Sequence, residues 1–339
     1  MSHGGRLVLA LAALVAALLA VAVVAVLSGS ARIAPGSVVQ VLAGRADPAS
    51  TEAVVILSLR LPRIAAAALA GGALAVAGVG FQALTRNPLA EPSVLGVSSG
   101  AAFGVIVGQL VATGGSIVAD AVRLTIFGLG GALLAGIAVY LIAAIGGGLP
   151  VHTLLLAGVI VGIFFTSATT VLTSFLDINR LGGIVHWLLG NISPIPPTPL
   201  GVFAALAGLG FALIVGRARQ LNLLALGEEA ARQLGVDAER LKLRIFVGAA
   251  LLTASVVAFA GPIGFVGLVV PHALRLVLGP DNRVLAPAAL IAGAAFLLAA
   301  DTLARSVVAP AELSVGVITS FCGAPVFVYL LRTRPRGGL

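Results

Sequence analysis

The chain alternates between long apolar segments and short clusters of polar residues. Eight runs contain no Asp, Glu, Lys or Arg, and they cover residues 7–31, 64–85, 92–119, 124–176, 181–216, 245–274, 284–300 and 313–331. A helix needs about 20 apolar residues to cross a bilayer, whereas a strand of a transmembrane barrel needs only about ten residues of alternating polarity. The pattern therefore predicts an all-α protein that crosses the membrane several times.

Proline and glycine divide the longest runs. Run 124–176 is too long for one crossing and is interrupted at 146–150, and run 245–274 is broken at Gly261-Pro262. The divided sequence predicts ten spans in a single membrane domain over residues 1–339, with the first apolar stretch retained as a span. The predicted spans lie near 7–28, 61–85, 93–112, 123–146, 153–175, 199–216, 241–260, 266–279, 285–305 and 313–331.

The basic residues of the loops predict the orientation. With both termini inside, the inner loops and tails hold twelve of the 20 basic residues, the outer segments hold seven, and Arg275 falls within a short span. Cytoplasmic loops of membrane proteins carry an excess of Lys and Arg. The sequence therefore predicts ten spans with the N-terminus and the C-terminus both in the cytoplasm.

The composition agrees with a membrane protein and limits the kinds of site that it can form. Hydrophobic residues make up 60% of the chain and charged residues only 9%, against about 25% charged in soluble domains. The net charge of +8 comes from arginines near the ends of spans, so it does not indicate nucleic-acid binding. The single cysteine, Cys322, excludes an intrachain disulfide, and we expect it to be a buried small hydrophobe.

Glycines recur at helical spacing in the third predicted span. Gly96, Gly100, Gly104 and Gly108 follow one another at every fourth position, which places them on one face of a helix. Small residues at this spacing let helix backbones approach closely within lipid. We expect tight packing against a neighbouring helix, the alternative being contact with a transported substrate.

Two polar segments are predicted to lie outside the membrane. Residues 176–198 combine charged residues with a proline-rich turn, which predicts an outer loop with a short interfacial helix. Residues 217–243 form the one long polar stretch on the inner side, and 226–235 has the composition of a short amphipathic helix with glycine near each end. The alternative for this stretch is a solvated connector.

The motifs of several enzyme and pump classes are missing from the sequence. There is no P-loop, no His pair at metal-ligand spacing and no G-x-S-x-G element. Asp301 is the main candidate for an acid within the membrane, whereas ion-coupled transporters usually place several ionisable groups there. The sequence therefore favours a passage powered by another subunit over a secondary transporter, a membrane enzyme or a structural scaffold.

Several long motifs carry a resemblance to a known family. They are Leu59-Arg-Leu-Pro-Arg63, Arg86-Asn-Pro-Leu-Ala-Glu-Pro92, the segment 95–101, the segment 221–235, Gly261-Pro-Ile-Gly-Phe-Val-Gly-Leu-Val-Val-Pro-His272, and the stretches 300–305, 311–316 and 323–327. In this order they resemble the FecCD-type permeases of ABC importers for ferric siderophores, haem and vitamin B12. The resemblance implies a type II ABC importer permease fold and a multi-pass location in the bacterial cytoplasmic (inner) membrane.

The resemblance also implies a coupling element for the ATPase. The segment Glu229-Ala230-Ala231-x-x-x-Gly235 is similar to the loop through which ABC importer permeases contact their ATPases. The residues to which this role carries over are Gly227, Glu228, Glu229, Ala230, Ala231, Arg232, Gln233 and Gly235.

The resemblance implies a docking site at the outer rim. Arg60, Arg63 and Arg305 match arginines that pair with acidic residues of the substrate-binding protein in related permeases. Arginine suits this role because its planar fork matches a carboxylate. The alternative is anchoring of the span ends in the membrane interface.

A cytoplasmic gate is the third implied site. The loop before the fifth span, at Val151, His152 and Thr153, matches the gate region of the family, and the valine and the histidine depart from the small hydroxyl residues of some members. Arg86, Asn87 and Pro88 lie on the same predicted side and are expected to support the gate or the ATPase contact.

The implied assembly is a non-catalytic transport subunit with several partners. These are a second permease copy or a paralogue, two ATP-binding subunits, a substrate-binding protein and the lipid bilayer, without nucleic acid. No cofactor is expected in this chain, since ATP and magnesium would be bound by the ATPase. A ferric siderophore is the expected cargo, with haem and cobalamin as alternatives, and an ATP-independent secondary transporter is the alternative of a different class.

Overall fold

The computed structural model describes residues 3–29, 31, 33–111, 117–144, 148–175, 178–308 and 311–333. Its fold is built from helices. They are α1 (His3–Leu27), α2 (Pro35–Leu42), α3 (Thr51–Ala53), α4 (Leu61–Thr85), α5 (Val97–Leu110), α6 (Ile117–Ala143), α7 (Val151–Thr173), α8 (Ile178–Leu188), α9 (Pro197–Val215), α10 (Ala218–Leu224), α11 (Glu228–Gln233), α12 (Ala238–Ala260), α13 (Val266–Leu278), α14 (Asn282–Ala304) and α15 (Val315–Thr333).

Each predicted span corresponds to one of these helices. Among the described residues, seven helices are long and apolar enough to cross a membrane, and three shorter apolar helices correspond to α5, α13 and α15. The largest difference from the predicted bounds is at α6, which begins at Ile117 rather than near 123. The short helices expected near 176–198 and 226–235 are α8 and α11.

The structure contains more helix near the outer and inner ends than the sequence predicted. Residues Val54–Arg60 form a π-helical segment that joins α3 to α4, so the apolar helix runs from Thr51 to Thr85. Helix α4 itself begins at Leu61, as predicted, but helical structure continues back to Thr51, because Arg60 is buried inside the protein and does not end the helix at a membrane edge. The inner stretch predicted as 217–243 is also shorter, since α12 begins at Ala238.

Helix α4 forms the centre of the bundle. Of its apolar window, 83% is buried, compared with 6% for α1, and it packs against α14, α12, α13 and α9. Glycines allow the closest approaches: a Cβ at Gly71 would overlap the carbonyl oxygen of Gly293, and a Cβ at Gly78 would overlap that of Gly267. The backbones are therefore in direct contact at these crossings.

The glycine stripe of α5 serves helix packing, as expected. Side chains added at Gly100 and Gly104 would collide with the backbone of α6, at Gly131 and Phe127 respectively. Gly96 instead adopts a left-handed conformation with φ of 72° and faces the backbone of α7 near Gly158.

The loops sort onto two opposite ends of the bundle, as alternating spans require. At one end the Leu149 amide contacts Glu239, and Asn222 contacts Asp281. We call this end, which the sequence predicts to be cytoplasmic, the inner face. The other end, where Arg63 contacts Glu312, is called the outer face.

Large apolar side chains remain exposed on the sides of the bundle. Phe164 and Phe175 of the α7 region are 66% and 76% exposed, and Phe321 of α15 is 77% exposed. Cys322, expected to be buried, is exposed beside Phe321. The prediction failed because an apolar residue of a membrane helix can face lipid or another subunit instead of the core.

Candidate coupling, gating and docking sites

Helix α11 presents a short polar surface at the inner face. Gly227 and Gly235, which flank it, have φ angles of 113° and 81°, a backbone region that favours glycine. Ala231 is fully buried and anchors the helix, whereas Glu229, Arg232 and Gln233 are exposed. The exposed side chains are therefore displayed on a helix of fixed position.

Two exposed leucines border this polar surface. Leu226 is 67% exposed and Leu234 is 59% exposed. They lie in the polar inner stretch, which the sequence predicts to lie outside the membrane. Exposed apolar side chains rimmed by polar residues are typical of protein contact sites.

An ion-pair network lies behind α11. Lys242, the only lysine of the sequence, has a side chain that is 2% exposed, and its Nζ lies 2.7 Å from Glu239 Oε1 and 3.2 Å from Glu228 Oε2. Arg232 Nη2 lies 3.3 Å from the same Glu239 oxygen. The network ties α11 to the start of α12.

The residues expected to form the gate lie at the first turn of α7. Val151 and Thr153 are half-buried and His152 is exposed. Pro150 occupies the position before the helix and makes no side-chain cap. The preceding amide, Leu149 N–H, donates to Glu239 Oε2 at 2.6 Å, so a carboxylate from α12 fixes the start of this helix.

The inner turn after α4 lies next to the coupling element. Arg86 ends α4 in a left-handed conformation with φ of 50°, and its guanidinium lies beside Gly227. Asn87 Oδ1 accepts a hydrogen bond from Leu89 N–H at 2.9 Å, which stabilises the turn that contains Pro88. The structure thus brings the turn at Arg86–Pro88 close to α11.

A second contact holds the inner face. The Asn222 amide of α10 donates to Asp281 Oδ1 at 2.7 Å, and its oxygen accepts from Asn282 N–H at 2.9 Å. Hydrogen bonds from the Arg283 side chain hold the pKa of Asp281 well below its usual range. The hydrogen bonds of Asn222 therefore attach the polar inner stretch to the beginning of α14.

The three arginines expected at the outer rim lie close together, but they do not project into solvent. Arg60, Arg63 and Arg305 are 5%, 8% and 4% exposed. Arg63 forms a forked contact with Asp301, with Nη2 to Oδ1 at 2.9 Å, and its Nη1 lies 2.7 Å from Glu312 Oε2. Partners within the chain therefore hold these arginine side chains, and their role in docking stays a prediction.

Arg60 and Arg305 bind backbone carbonyl groups in the last turn of α1 and just after it. Arg60 donates to the carbonyl oxygens of Val26 and Ala31, and Arg305 Nη2 donates to Ala25 O at 2.6 Å. Both arginines, Arg63 and Glu312 line a cavity of about 280 Å³ at the outer face. The cations therefore surround a pocket.

A second, larger cavity has an uncharged lining. It measures about 380 Å³ and lies between α5, α8, α15 and the loop after α12. Ser93, Ser98 and Ser320 supply hydroxyl groups, and the rest of the lining is glycine, proline and apolar side chains.

Glu91 is a half-buried acid whose contact sequence reasoning missed. Its Oε1 accepts a hydrogen bond from Phe265 N–H at 2.8 Å, at the start of α13. The carboxylate therefore joins the loop after α4 to the beginning of α13. Its position between two prolines of a loop motif gave no sign of this contact.

With this geometry in view, comparison with known proteins decides the family. Residues 14–333 match the FecCD transport family. The chain belongs to the FecCD transport family. It is the permease of an ABC importer, as the resemblance of its motifs implied.

Two relatives and one solved structure are similar over most of their length. The cobalamin import system permease protein BtuC of Halobacterium salinarum is 43% identical over 287 residues, which are 84% of this chain and 75% of the relative. The hemin transport system permease protein HmuU of Yersinia pestis is 41% identical over 278 residues, 81% of this chain and 82% of the relative. An inward-facing structure described as a metal-chelate type ABC transporter has a TM-score of 0.80 at 31% identity and covers 98% of this chain and 100% of its own.

These similarities confirm the fold class. The all-α polytopic permease fold predicted from the sequence is shared with the solved transporter over nearly the whole chain. The two named relatives are almost equally similar although their names give different cargoes.

Proposed function

We propose that this FecCD-family permease carries a bulky metal chelate through the membrane, powered by ATP hydrolysis in separate subunits. The observation that supports this best is that the polar and charged surfaces lie at two opposite ends of the molecule. A polar helix at the inner face and an arginine-lined pocket at the outer face lie at opposite ends of a bundle that also holds a cavity with an uncharged lining. A path with few strong partners suits a cargo that must pass without being retained.

The exposed side of α11 is the proposed binding site for the ATPase. Glu229, Arg232 and Gln233 are exposed between Leu226 and Leu234, a mixed surface suited to a cleft of a partner protein. ATP and magnesium would be bound by that partner, so this chain needs no cofactor. The glycines at both ends would hold α11 at a fixed angle when the partner moves.

The outer pocket is the proposed docking point for a substrate-binding protein. A carboxylate of that protein would enter the cavity of about 280 Å³ and meet Arg60, Arg63 and Arg305. Glu312 already occupies one side of Arg63 and is 35% exposed, so it would compete with the incoming group.

Substitution of Glu312 tests the docking proposal. The E312Q variant removes one negative charge next to Arg63, and we expect tighter binding of the substrate-binding protein, by about 0.5–1 kcal/mol for a partly exposed pair. Titration of the immobilised permease complex with the binding protein measures it. The exposed outer-face residue Glu52 gives the control variant, E52Q. Unchanged affinity in E312Q would contradict the proposed pocket.

The proposed gate is the start of α7, at Val151, His152 and Thr153, supported by the turn at Arg86–Pro88. Closure there would separate the internal cavity from the inner face. The assembly we propose is a dimer of permeases, either two copies or a copy with a paralogue, with two ATPase subunits in the cytoplasmic membrane.

A ferric siderophore is the proposed cargo, and cobalamin and haem are the alternatives. A cobalamin permease and a hemin permease among the relatives are 43% and 41% identical, so the three chelates must be compared directly. Proteoliposomes that contain the permease, its ATPase and its binding protein would be assayed with labelled iron–siderophore, cobalamin and haemin. Uptake of one chelate only with ATP supports the proposal, and uptake without ATP would support a secondary transporter.

Replacement of Glu229 and Gly235 tests the coupling role in the same vesicles. We expect ATP hydrolysis to continue while uptake falls, because α11 would no longer transmit movement. Normal uptake by the double variant would contradict this role for α11.

A further inference from the structure

We infer that Glu239 is a positioning residue that connects the coupling helix α11 to the gate at the start of α7. The inference rests on the proposed roles of these two elements. It deepens them, because it names the side chain through which movement of one reaches the other.

The two oxygens of the Glu239 carboxylate have different partners. Oε1 accepts from Lys242 Nζ at 2.7 Å and from Arg232 Nη2 at 3.3 Å, whereas Oε2 accepts from Leu149 N–H at 2.6 Å. Arg232 belongs to α11, and Leu149 lies two residues before α7. One carboxyl group therefore touches both elements.

The contact with Leu149 fixes the chain directly before α7, where the helix has no side-chain cap. Pro150 has no N–H and no polar side chain, so the start of α7 carries no cap of its own. Leu149 is 4% exposed, and a buried amide needs an acceptor. A carboxylate also interacts favourably with the positive end of a helix dipole. Movement of Glu239 would therefore move or release the first turn of α7.

Two connections join Glu239 to α11, one through Lys242 and one made directly by Arg232. The lysine is 2% exposed and bridges Glu239 to Glu228 of α11, and Arg232 joins the same carboxylate from the opposite end of that helix. A buried ammonium group separated from its carboxylates is strongly destabilising. The three helices α7, α11 and α12 are thus constrained to move together at this point.

The alternative is a purely structural role, in which Glu239 stabilises the junction of α11 and α12 without transmitting movement to α7. The two roles predict different responses of the proposed gate when nucleotide binds to the ATPase. Hydrogen–deuterium exchange of the assembled permease and ATPase in nanodiscs reports this response without any cargo. The complex would be compared without nucleotide and with Mg-ATP plus vanadate.

In the wild-type complex we expect nucleotide to change exchange both in α11 and in residues 148–154. The change in the second segment should be about tenfold, within the usual range of coupling between two sites. In E239Q the change in α11 should remain, and the change in 148–154 should fall below about twofold, because a neutral amide holds Leu149 and Lys242 less strongly.

Arg240 provides the matched control. It is the next residue of α12, its side chain is 78% exposed, and it pairs with Asp237 at the surface. R240A should respond to nucleotide as the wild type does. Should E239Q fail to assemble, the double variant E239Q/K242M removes the buried cation as well, a replacement that buried ion pairs commonly tolerate.

The outcomes separate this inference from the proposed function. A wild-type-like response of 148–154 in E239Q, or in E239Q/K242M when that variant is needed, overturns the role of Glu239. If nucleotide leaves α11 unchanged in the wild-type complex, the proposed coupling role of α11 is itself wrong, and the inference falls with it.

Discussion

At the scale of single residues, the charges that remain in this apolar protein are held by other charges. Asp301 is fully buried and contacts Arg63, and Lys242 is almost fully buried between two carboxylates. A charge removed from water is tolerated only when a partner and hydrogen bonds compensate it. These side chains therefore fix the geometry of the two ends of the bundle.

Loss of the buried carboxylate at the outer face should be costly. D301N keeps the size of the side chain but leaves Arg63 and Arg305 without their shared anion. We expect a loss of about 3 kcal/mol in stability. Thermal unfolding in detergent measures this effect. E52Q, at an exposed acid of the same face, should unfold like the wild type, and an equally stable D301N would contradict this assignment.

A different carboxylate gives a pH-dependent prediction. The pKa of Asp281 is lowered in the folded state, chiefly by hydrogen bonds from Arg283. A lowered pKa means that the carboxylate stabilises the fold above its unfolded value of about 3.9 and loses this contribution as the pH falls through its folded value. Because the side chain is 36% exposed, the contribution is at most about 1 kcal/mol.

The variant D281N isolates the charge, since asparagine caps a helix about as well as aspartate. We expect the wild type to unfold at a higher temperature than D281N near neutral pH, and the difference to shrink as the pH falls below about 4. Unfolding curves of both proteins over a pH series measure it. A difference that stays constant with pH would show that the charge is not responsible.

At the scale of helices, packing depends on glycines that let backbones touch. The central helix α4 meets α14 at Gly71 and Gly293 and meets α13 at Gly78 and Gly267. In lipid, apolar burial gives no driving force between helices, so close contact supplies the attraction. The spacing of glycines predicted this kind of packing for α5, and the structure shows it for α4 as well.

The crossing of α4 and α13 should be intolerant of a single methyl group. In G78A the added carbon would overlap the backbone of Gly267, which forces the helices apart, and overpacking of this kind costs about 1–3 kcal/mol. Gly130 of α6 offers the matched control, because it has open space around it. G130A should gain about 0.5 kcal/mol from lower backbone entropy. Thermal unfolding of the two variants tests the contrast, and equal effects would refute it.

At the scale of the whole molecule, polar chemistry is divided between two faces. The coupling helix and the start of α7 lie at the inner face, and the arginine pocket lies at the outer face. Exposed apolar side chains such as Phe164 and Phe321 cover the sides between them. The division suits an importer, whose energy source and cargo supply lie on opposite sides of the membrane.

The orientation of these faces is open to a direct test. In a C322A background, we expect a cysteine at position 240 (R240C) to react with a membrane-impermeant thiol reagent only in inverted vesicles. A cysteine at position 45 (R45C) should react only in right-side-out vesicles. Both native residues are exposed, so each variant serves as the control for the other. The reverse pattern would place both termini outside.

Much of the fold was predictable from the sequence because lipid imposes a simple rule. A charge-free run of sufficient length must be helical, and this rule, together with the proline and glycine breaks, located a helix for each of the ten predicted spans. It did not anticipate the helical segment at 51–60, where Arg60 is compensated inside the protein, or the contact of Glu91 with the start of α13. The prediction places charged residues at the membrane edge, but a charged residue that has a partner inside the protein is not confined to that edge.

The candidate sites were identified by motif, but their contacts were not. The sequence by itself determined the spans, their alternation and the family, since apolar periodicity and local motifs are properties of neighbouring residues. Only the tertiary structure decided that Arg63 meets Asp301, 238 positions away, and that Leu149 meets Glu239, 90 positions away. The physical reason is that a buried polar group must find a partner wherever helix packing places one, and that place is set by the crossings of the helices.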